Sequence, residues 1–286
     1  MSFYKKIFQL FIIFHSVLSY PQYKQDSLRG EFTYLLKAKF DTRTDNRHEE
    51  FFSLQISDNH AFFASIISLK GDSVMANSGT SKTNSDGSIT LGYKDGVVIP
   101  KTGLSFTIIQ SNENTQYFRS AGMSLLTYKE PVKKKWRLVN ETKVINTIIC
   151  KKAEITSKGR NWIAWYSPEI PFPYGPYKFS GLPGLIVKIT DDKGEFDFEL
   201  VKSVSDSKLK GKLINIKKNR FTEAVETTQR KLKQAVRNAD ANAAAVLASY
   251  GTTIIQGQEM LRQREKEREK AIEENKKYEN PIELED

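Results

Sequence analysis

The sequence predicts an α+β fold: mainly an antiparallel β-sheet, curved into an open sheet or partial barrel, with a helical segment at the C-terminal end. Three observations lead there. From about Glu31 to Ile216, short runs of strand-forming residues alternate with polar, glycine-containing turns. Helix-length segments are missing between most neighbouring runs, so consecutive strands are expected to join as hairpins rather than through helical crossovers. After Lys217 the composition shifts to Ala, Glu, Lys, Gln and Arg, without proline over residues 220–278, a helix-forming mixture.

The N-terminus reads as a signal peptide over residues 1–19. Lys5 and Lys6 precede an apolar stretch, Ile7 to Phe14, that is too short to span a bilayer, and Val17 and Ser19 suit the −3 and −1 positions of a cut before Tyr20. Removing this segment takes away two lysines and no acid, so the formal charge falls from +10 to +8. No cysteine follows the apolar run to carry a lipid, and no later segment reaches the roughly eighteen apolar residues of a membrane span. The expectation is an exported protein with no transmembrane segment in its mature chain. It would reside in the periplasm, on the outer membrane or outside the cell.

Residues 20–216 are expected to form the β-rich domain. Its strand candidates are residues 32–40, 51–56, 88–93, 104–110, 123–129, 143–150, 161–166, 185–190, 195–202 and 212–216. The clearest hairpin joins the last two long runs through Asp191-Asp192-Lys193-Gly194. There Phe196, Phe198 and Leu200 alternate with Glu195, Asp197 and Glu199, giving one buried and one wet face. The stretch from Asp58 to Leu69 reads as a short helix capped by Asp58 or Asn59, with another strand as the alternative; the helix is preferred.

Residues 217–286 are expected to be helical and charged, with helices over 221–236 and 238–250 and a stop at Gly251. In the last stretch, like charges recur at i,i+4 (Glu265 with Glu269, Lys266 with Lys270), and apolar residues are too sparse for a coiled-coil seam. A solvated helical tail, with room for one face to pack on the sheet or on a partner and dispensable for folding from about Gly257 onward, is the expectation.

Chemistry-bearing residues are few. Cys150, the single cysteine, cannot form an intrachain disulfide, and at the end of the run Val144–Cys150 it is expected to be buried and unreactive. His48 and His60 lack the clustered ligands of a zinc site, and no cofactor motif occurs. Asp191 and Asp192 suit a turn better than a catalytic dyad. Between Pro131 and Arg160, nine basic residues face two acids. Lys133, Lys134 and Lys135 at the head of this stripe could meet an anionic envelope surface. Export and the absence of a groove-reading motif argue against nucleic acid.

The densest pattern is WIAWYSPEIPFPYGPYKFSGLPGLIVKI, Trp162 to Ile189. Pro168, Pro171, Pro173 and Pro176 forbid regular ladder pairing, so a long extended crossing should separate two strands. Trp165, Tyr166, Glu169, Tyr174, Tyr177 and Phe179 are candidates for a ligand or partner surface. Gly175 and Pro176 lie within the crossing. Gly181, Leu182, Pro183 and Gly184 read as a tight turn in which the glycines allow positive φ or close approach of another backbone. Whether the crossing is a binding groove or a rigid lid over the core stays open at this level.

Residues WYSPEIP, GPYKF and GLPGLI, with Trp136, Lys143–Ile145 and Cys150–Ala153 upstream and the terminal NPIELED, resemble the GLPGLI family of exported proteins. The resemblance implies export, a β-rich fold and a bacterial envelope setting, and it carries over no catalytic residue. The tripeptides around Ser27 and Ser73 are similar to an envelope O-glycosylation consensus. Together these features favour a non-enzymatic binding or interaction protein whose partner is another envelope protein. A carrier of a lipid or other apolar ligand is the alternative. A hydrolase is poorly supplied, since neither GxSxG nor HExxH is present.

Overall fold

A computed structural model describes residues 26–87, 89–132, 135–204, 206–241, 263, 266–267, 270–271 and 273–285. Among them run strands β1 (Gly30–Ala38), β2 (His48–Ile56), β3 (Ala61–Ser65), β4 (Gly79–Thr83), β5 (Ile89–Tyr93), β6 (Thr107–Gln110), β7 (Asn114–Ala121), β8 (Ser124–Pro131), β9 (Arg137–Ile145), β10 (Ile148–Ser157), β11 (Arg160–Ser167), β12 (Leu185–Asp191), β13 (Phe196–Ser203) and β14 (Val225–Glu226). Helices are α1 (Ile66–Ser78), α2 (Asp206–Leu209) and α3 (Gln229–Ala241). The signal segment 1–19, Lys133 and Lys134 lie outside the described residues.

Twelve strands form one sheet in the order β14-β8-β7-β6-β3-β2-β1-β13-β12-β11-β10-β9, and β4 pairs with β5 as a separate hairpin. Every pairing is antiparallel except the two-residue contact of β14 with β8. The fold class expected from the sequence is therefore the one observed. Strong curvature follows from connectivity alone. β8 and β9 stand at opposite flanks of the sheet order, yet Pro131 and Arg137 are joined by a short link that spans at most about 22 Å fully extended. The sheet must curl until its two flanks approach one another.

The concave face is filled with aromatic rings. Phe52 stacks on Phe63 at 4.8 Å, Phe106 lies 5.8 Å from Phe52, and Phe198 meets both Phe52 and Phe63 edge-on. In the β12–β13 hairpin Phe196, Phe198 and Leu200 are buried, as their alternation predicts, and Asp191 closes the turn by accepting from the Phe196 amide at 3.0 Å. A second cluster lies apart from this core, where Leu28, Phe62, Ala64, Leu209, Ile214 and Ile216 pack together. The segment after β13 therefore wraps over the sheet.

Four local expectations are corrected. The stretch 58–69 is not one helix. Ser57 and His60 close a turn (amide to carbonyl, 2.8 Å), and Ala61–Ser65 pairs with β2 on one side and β6 on the other. A strand buried on both faces shows no alternation, so its apolar run is indistinguishable from a buried helix by pattern. The helix begins only at Ile66, where the Ser65 hydroxyl caps the Ser68 amide at 3.1 Å.

Residues 143–150 are not one strand. Asn146 (φ 47°) and Thr147 (φ 69°) form a two-residue turn between β9 and β10. Two consecutive positive φ values suit the right-handed twist of the flanking strands. Cys150 is thus the third residue of β10, and it is buried.

The helix expected from residue 221 starts at Gln229. Before it, Val225 and Glu226 extend the sheet along β8, and the Thr227 amide donates to the Thr127 carbonyl at 2.8 Å. The Thr228 hydroxyl then caps the Lys231 amide at 3.3 Å. Leu232 and Val236 turn the buried face of α3 toward the core. The second predicted helix, 238–250, falls mostly outside the described residues.

The end of the chain is also not a purely solvated tail. Asn280 and Glu283 are buried, Glu279 bridges Asp41, and the Asn280 amide donates to the Phe40 carbonyl at 2.8 Å. Two buried polar side chains anchor this segment beside the half-buried Ile282, so a count of its hydrophobic residues underestimates its attachment.

Candidate binding cleft beside the proline-rich crossing

The crossing from Pro168 to Gly184 lies across the aromatic face and is pinned by its own backbone. The amide of Gly181 donates to the Pro173 carbonyl at 2.9 Å, that of Leu185 to Ile170 at 3.0 Å, and that of Ile186 to Tyr174 at 3.1 Å. Side chains from distant strands add to this. Gln110 donates to the carbonyls of Gly175 (2.8 Å) and Tyr177 (2.6 Å), and the Trp136 indole donates to the Ser180 carbonyl at 2.9 Å. Tyr177 sits at φ 53°, a conformation costly for a residue with a side chain and kept here by those bonds.

Gly181 (φ 87°) and Gly184 (φ 145°) make the turn into β12. At Gly184 an added Cβ would stand 2.1 Å from the Ser167 carbonyl oxygen, so the close approach of two backbones, as well as the dihedral, requires glycine. Gly175 is tight for a different reason, since its Cβ would fall 2.7 Å from that of Ile186. Leu182 is buried in the core, Pro183 is exposed, and Pro176 is buried beside Tyr177.

The aromatic residues of the crossing do not form an exposed surface. Tyr177 and Phe179 are buried against Phe106 and Trp162, and Tyr174 is buried with its hydroxyl donating to the Asn59 carbonyl at 3.2 Å. Tyr166 is buried as well, while Trp165 lies beneath the ammonium groups of Lys143 (5.7 Å) and Lys152 (6.0 Å). The correction has a plain cause. A segment without ladder hydrogen bonds can present its rings to either side, and here the sheet's concave face takes them. Of the six candidates only Glu169 is exposed, and no ion pair to the basic stripe reaches it among the described residues. Lys135, the described member of the lysine trio, is exposed.

What the crossing does build is the wall of an open cleft of about 1000 Å³ at one end of the sheet. Glu169, Ile170, Pro171, Phe172, Pro173 and the edge of Tyr174 form one side. The start of β1 and the segment after β13 complete the lining with Arg29, Lys210 and Lys212, and Asp58 pairs with Arg29 at 2.6 Å. Phe172 meets Phe32 edge-on at 6.0 Å, which holds its ring at the cleft wall. The lining thus offers prolines and rings for apolar contact, the cations Lys210, Lys212 and the ion-paired Arg29, and the carboxylates of Glu169 and Asp58.

On the other side of the crossing, Lys178 is buried to 2% exposure. Its ammonium donates to the Tyr128 hydroxyl (2.7 Å), Glu283 (2.6 Å) and Glu130 (3.4 Å), and it lies 4.9–5.4 Å from the ring centres of Tyr117, Tyr128 and Tyr177. Arg160 is similarly enclosed, bonded to Asp191 (2.8 Å), Glu195 (2.9 Å), the Asn280 amide oxygen and the Pro281 carbonyl (2.8 Å). That hydrogen bond to Arg160, with a second from Asn280, holds the Glu195 carboxyl below its ordinary range. Sequence reading passed over Lys178, Arg160, Asn280 and Glu283. The available signals were a lone lysine within an apolar-aromatic run and the compact NPIELED terminus.

The remaining candidates take structural places. His48 Nε2 and the Thr102 hydroxyl both bond the same oxygen of Glu50, at 2.8 and 2.7 Å, so the hydroxyl is held by the carboxylate instead of the imidazole. Asp191 and Asp192 do not act on a shared atom: Asp191 meets Arg160, and Asp192 accepts from Asn161 at 3.0 Å. Among the described residues, no three His, Cys, Asp or Glu side chains converge as metal ligands. Ser27 and Ser73 are exposed.

A family described as "Protein of unknown function (Porph_ging)" matches residues 154–188, from the second half of β10 through the crossing into β12. No curated protein matches the chain. Two solved structures of PNGF-II, in space groups P21 and C2, are similar at 12% identity and TM-score 0.47, over 73% of this chain and 33% of that one. The chain therefore spans about a third of the length of PNGF-II. An uncharacterized conserved protein from Thermus thermophilus is similar at 9% identity and TM-score 0.31, over 69% of this chain and 89% of its own.

Proposed function

We propose that this is an exported cell-envelope protein that binds a polypeptide partner in the cleft beside the crossing, without performing chemistry on it. The observation that carries the reading is the composition of that cleft. Prolines and the Phe172 ring line it together with the cations Arg29, Lys210 and Lys212 and the exposed carboxylate of Glu169. An open, half-polar surface of this kind suits an extended amphipathic chain. A lipid would require an apolar cavity, and the concave face that a carrier would use is filled by Phe52, Phe63, Phe106 and Phe198. The signal-like residues 1–19 and the resemblance to the GLPGLI family support export.

The test is photo-crosslinking in cells. A photoreactive residue at Phe172 should yield a discrete protein adduct that Glu169→Lys combined with Lys210→Glu abolishes. Adducts to lipid alone, or none from a properly folded protein, would sink the reading. Export is checked separately, by an envelope-localised mature chain beginning at Tyr20.

A further inference from the structure

The C-terminal segment is held as a bound peptide is held. Its backbone is read at several points: the Thr42 amide donates to the Tyr278 carbonyl (3.0 Å), the Asn280 amide to Phe40 (2.8 Å), Arg160 to the Pro281 carbonyl (2.8 Å) and the Leu284 amide to Lys158 (2.9 Å). Two side chains are recognised specifically. Asn280 donates to the Lys39 carbonyl (2.6 Å) and to Glu195 (3.1 Å) while accepting from Arg160. Glu283 receives Lys178 on one oxygen and Gln229 on the other, each at 2.6 Å. Pro281 and Leu284 are exposed, and of the apolar residues at 281–284 only the half-buried Ile282 packs against the core.

The receptor, by contrast, is built without it. Lys178 keeps the Tyr128 hydroxyl, Glu130 and three tyrosine faces, and Arg160 keeps Asp191, Glu195 and the face of Phe196 at 4.6 Å. These groups are already desolvated and oriented, the condition under which a carboxylate and an amide gain most from docking. Beside Glu283 lies a cavity of about 280 Å³, walled by Leu232 and Val236 of α3 with Arg119 and Arg237 in its lining. Ligand space thus continues beyond what the tail fills.

We infer that the Lys178–Arg160 pocket is a recognition site for an acidic Asn-Pro-aliphatic-Glu segment, filled in cis by residues 280–283 and open in trans to the same segment of a second copy. The site is separate from the cleft of the proposed function and does not depend on it. At a cis effective concentration of about 1 mM, the value for a short flexible linker, a free peptide of about 10 μM intrinsic affinity would bind the intact protein about 100-fold more weakly. The site is therefore masked until the cis contact is released.

The test uses the full-length chain and a fluorescent peptide of residues 278–286. The Asn280→Ala, Glu283→Ala double variant should melt cooperatively and bind this peptide about 100-fold more tightly than wild type does. A peptide carrying Glu283→Lys should fail to bind, and Lys178→Met in the double-variant background should remove the gain. Concentrated wild type should form a dimer that excess peptide dissolves, and the double variant should stay monomeric. Loss of cooperative folding in the double variant would make the tail a structural part of the core and overturn the inference. So would equal, weak peptide binding by both proteins. A wild type that stays monomeric at about millimolar concentration, the cis effective concentration, would overturn the exchange between copies.

Discussion

Gly184 lies so close beneath Ser167 that any side chain at position 184 would place its Cβ 2.1 Å from the Ser167 carbonyl oxygen. This contact joins the two ends of the crossing, the last residue of β11 and the residue before β12. Gly184→Val should therefore act through stability. The dihedral alone costs about 1–3 kcal/mol, and the backbone must also move. Gly194, at φ 63° but with open space around it, is the control. Gly194→Ala should lower the melting temperature only by the strain part, and equal melting of the two variants would refute the contact.

Tyr174→Ala is expected to destabilise the fold. Removing a buried aromatic ring costs about 3–5 kcal/mol, and the Asn59 carbonyl also loses its donor. Tyr174→Phe removes only that hydrogen bond, about 1 kcal/mol. Denaturant unfolding of the two variants checks the ordering. Parent-like stability of Tyr174→Ala would mean that the ring is a surface group.

Arg160→Met should be among the most damaging single changes. It leaves the fully buried Asp191 carboxylate without its guanidinium, a loss of about 3–5 kcal/mol for one partner of a buried pair. Adding Asp191→Asn should recover part of that loss, since the asparagine oxygen can still accept from the Phe196 amide. No recovery in the double variant would place the damage elsewhere than in the stranded charge.

Cys150 should react slowly with thiol reagents. Burial pushes its pKa up to about 11 from an ordinary value of 9.0, which lowers the thiolate fraction near pH 8 about 100-fold. Labelling should follow opening of the fold and accelerate in denaturant. Rapid labelling of the native protein would contradict it.

Alkaline pH should destabilise the protein through its buried phenols. Burial raises the pKa of Tyr34, Tyr117 and Tyr177 above their ordinary value of 10.0. Their contribution is complete below that ordinary value and is lost as pH rises above it, because the unfolded chain releases its protons first. Phenolate absorbance should therefore rise in step with unfolding. Full ionisation of every tyrosine in the native state would refute this.

Local pattern carried part of this protein into view. The alternation of Phe196, Phe198 and Leu200 set both the β12–β13 hairpin and its buried face, because side chains two residues apart on a strand share one side of the sheet. Gly181 and Gly184 around Pro183 marked a turn of two positive φ values, and at Gly184 no residue with a Cβ fits. The tertiary structure decided what depends on neighbours remote in the chain. Ala61–Ser65 is a strand because β2 and β6 satisfy its backbone from both sides, and no periodicity within five buried residues states that. The rings of the crossing face inward because the curled sheet leaves them an aromatic face to cover. Lys178 and Glu283, 105 residues apart, can be buried as a pair only once the sheet has brought the crossing and the chain end together. A short-range pattern reports the backbone it sits on. Which charge is neutralised, and which surface remains for a partner, is settled by the closure of the sheet.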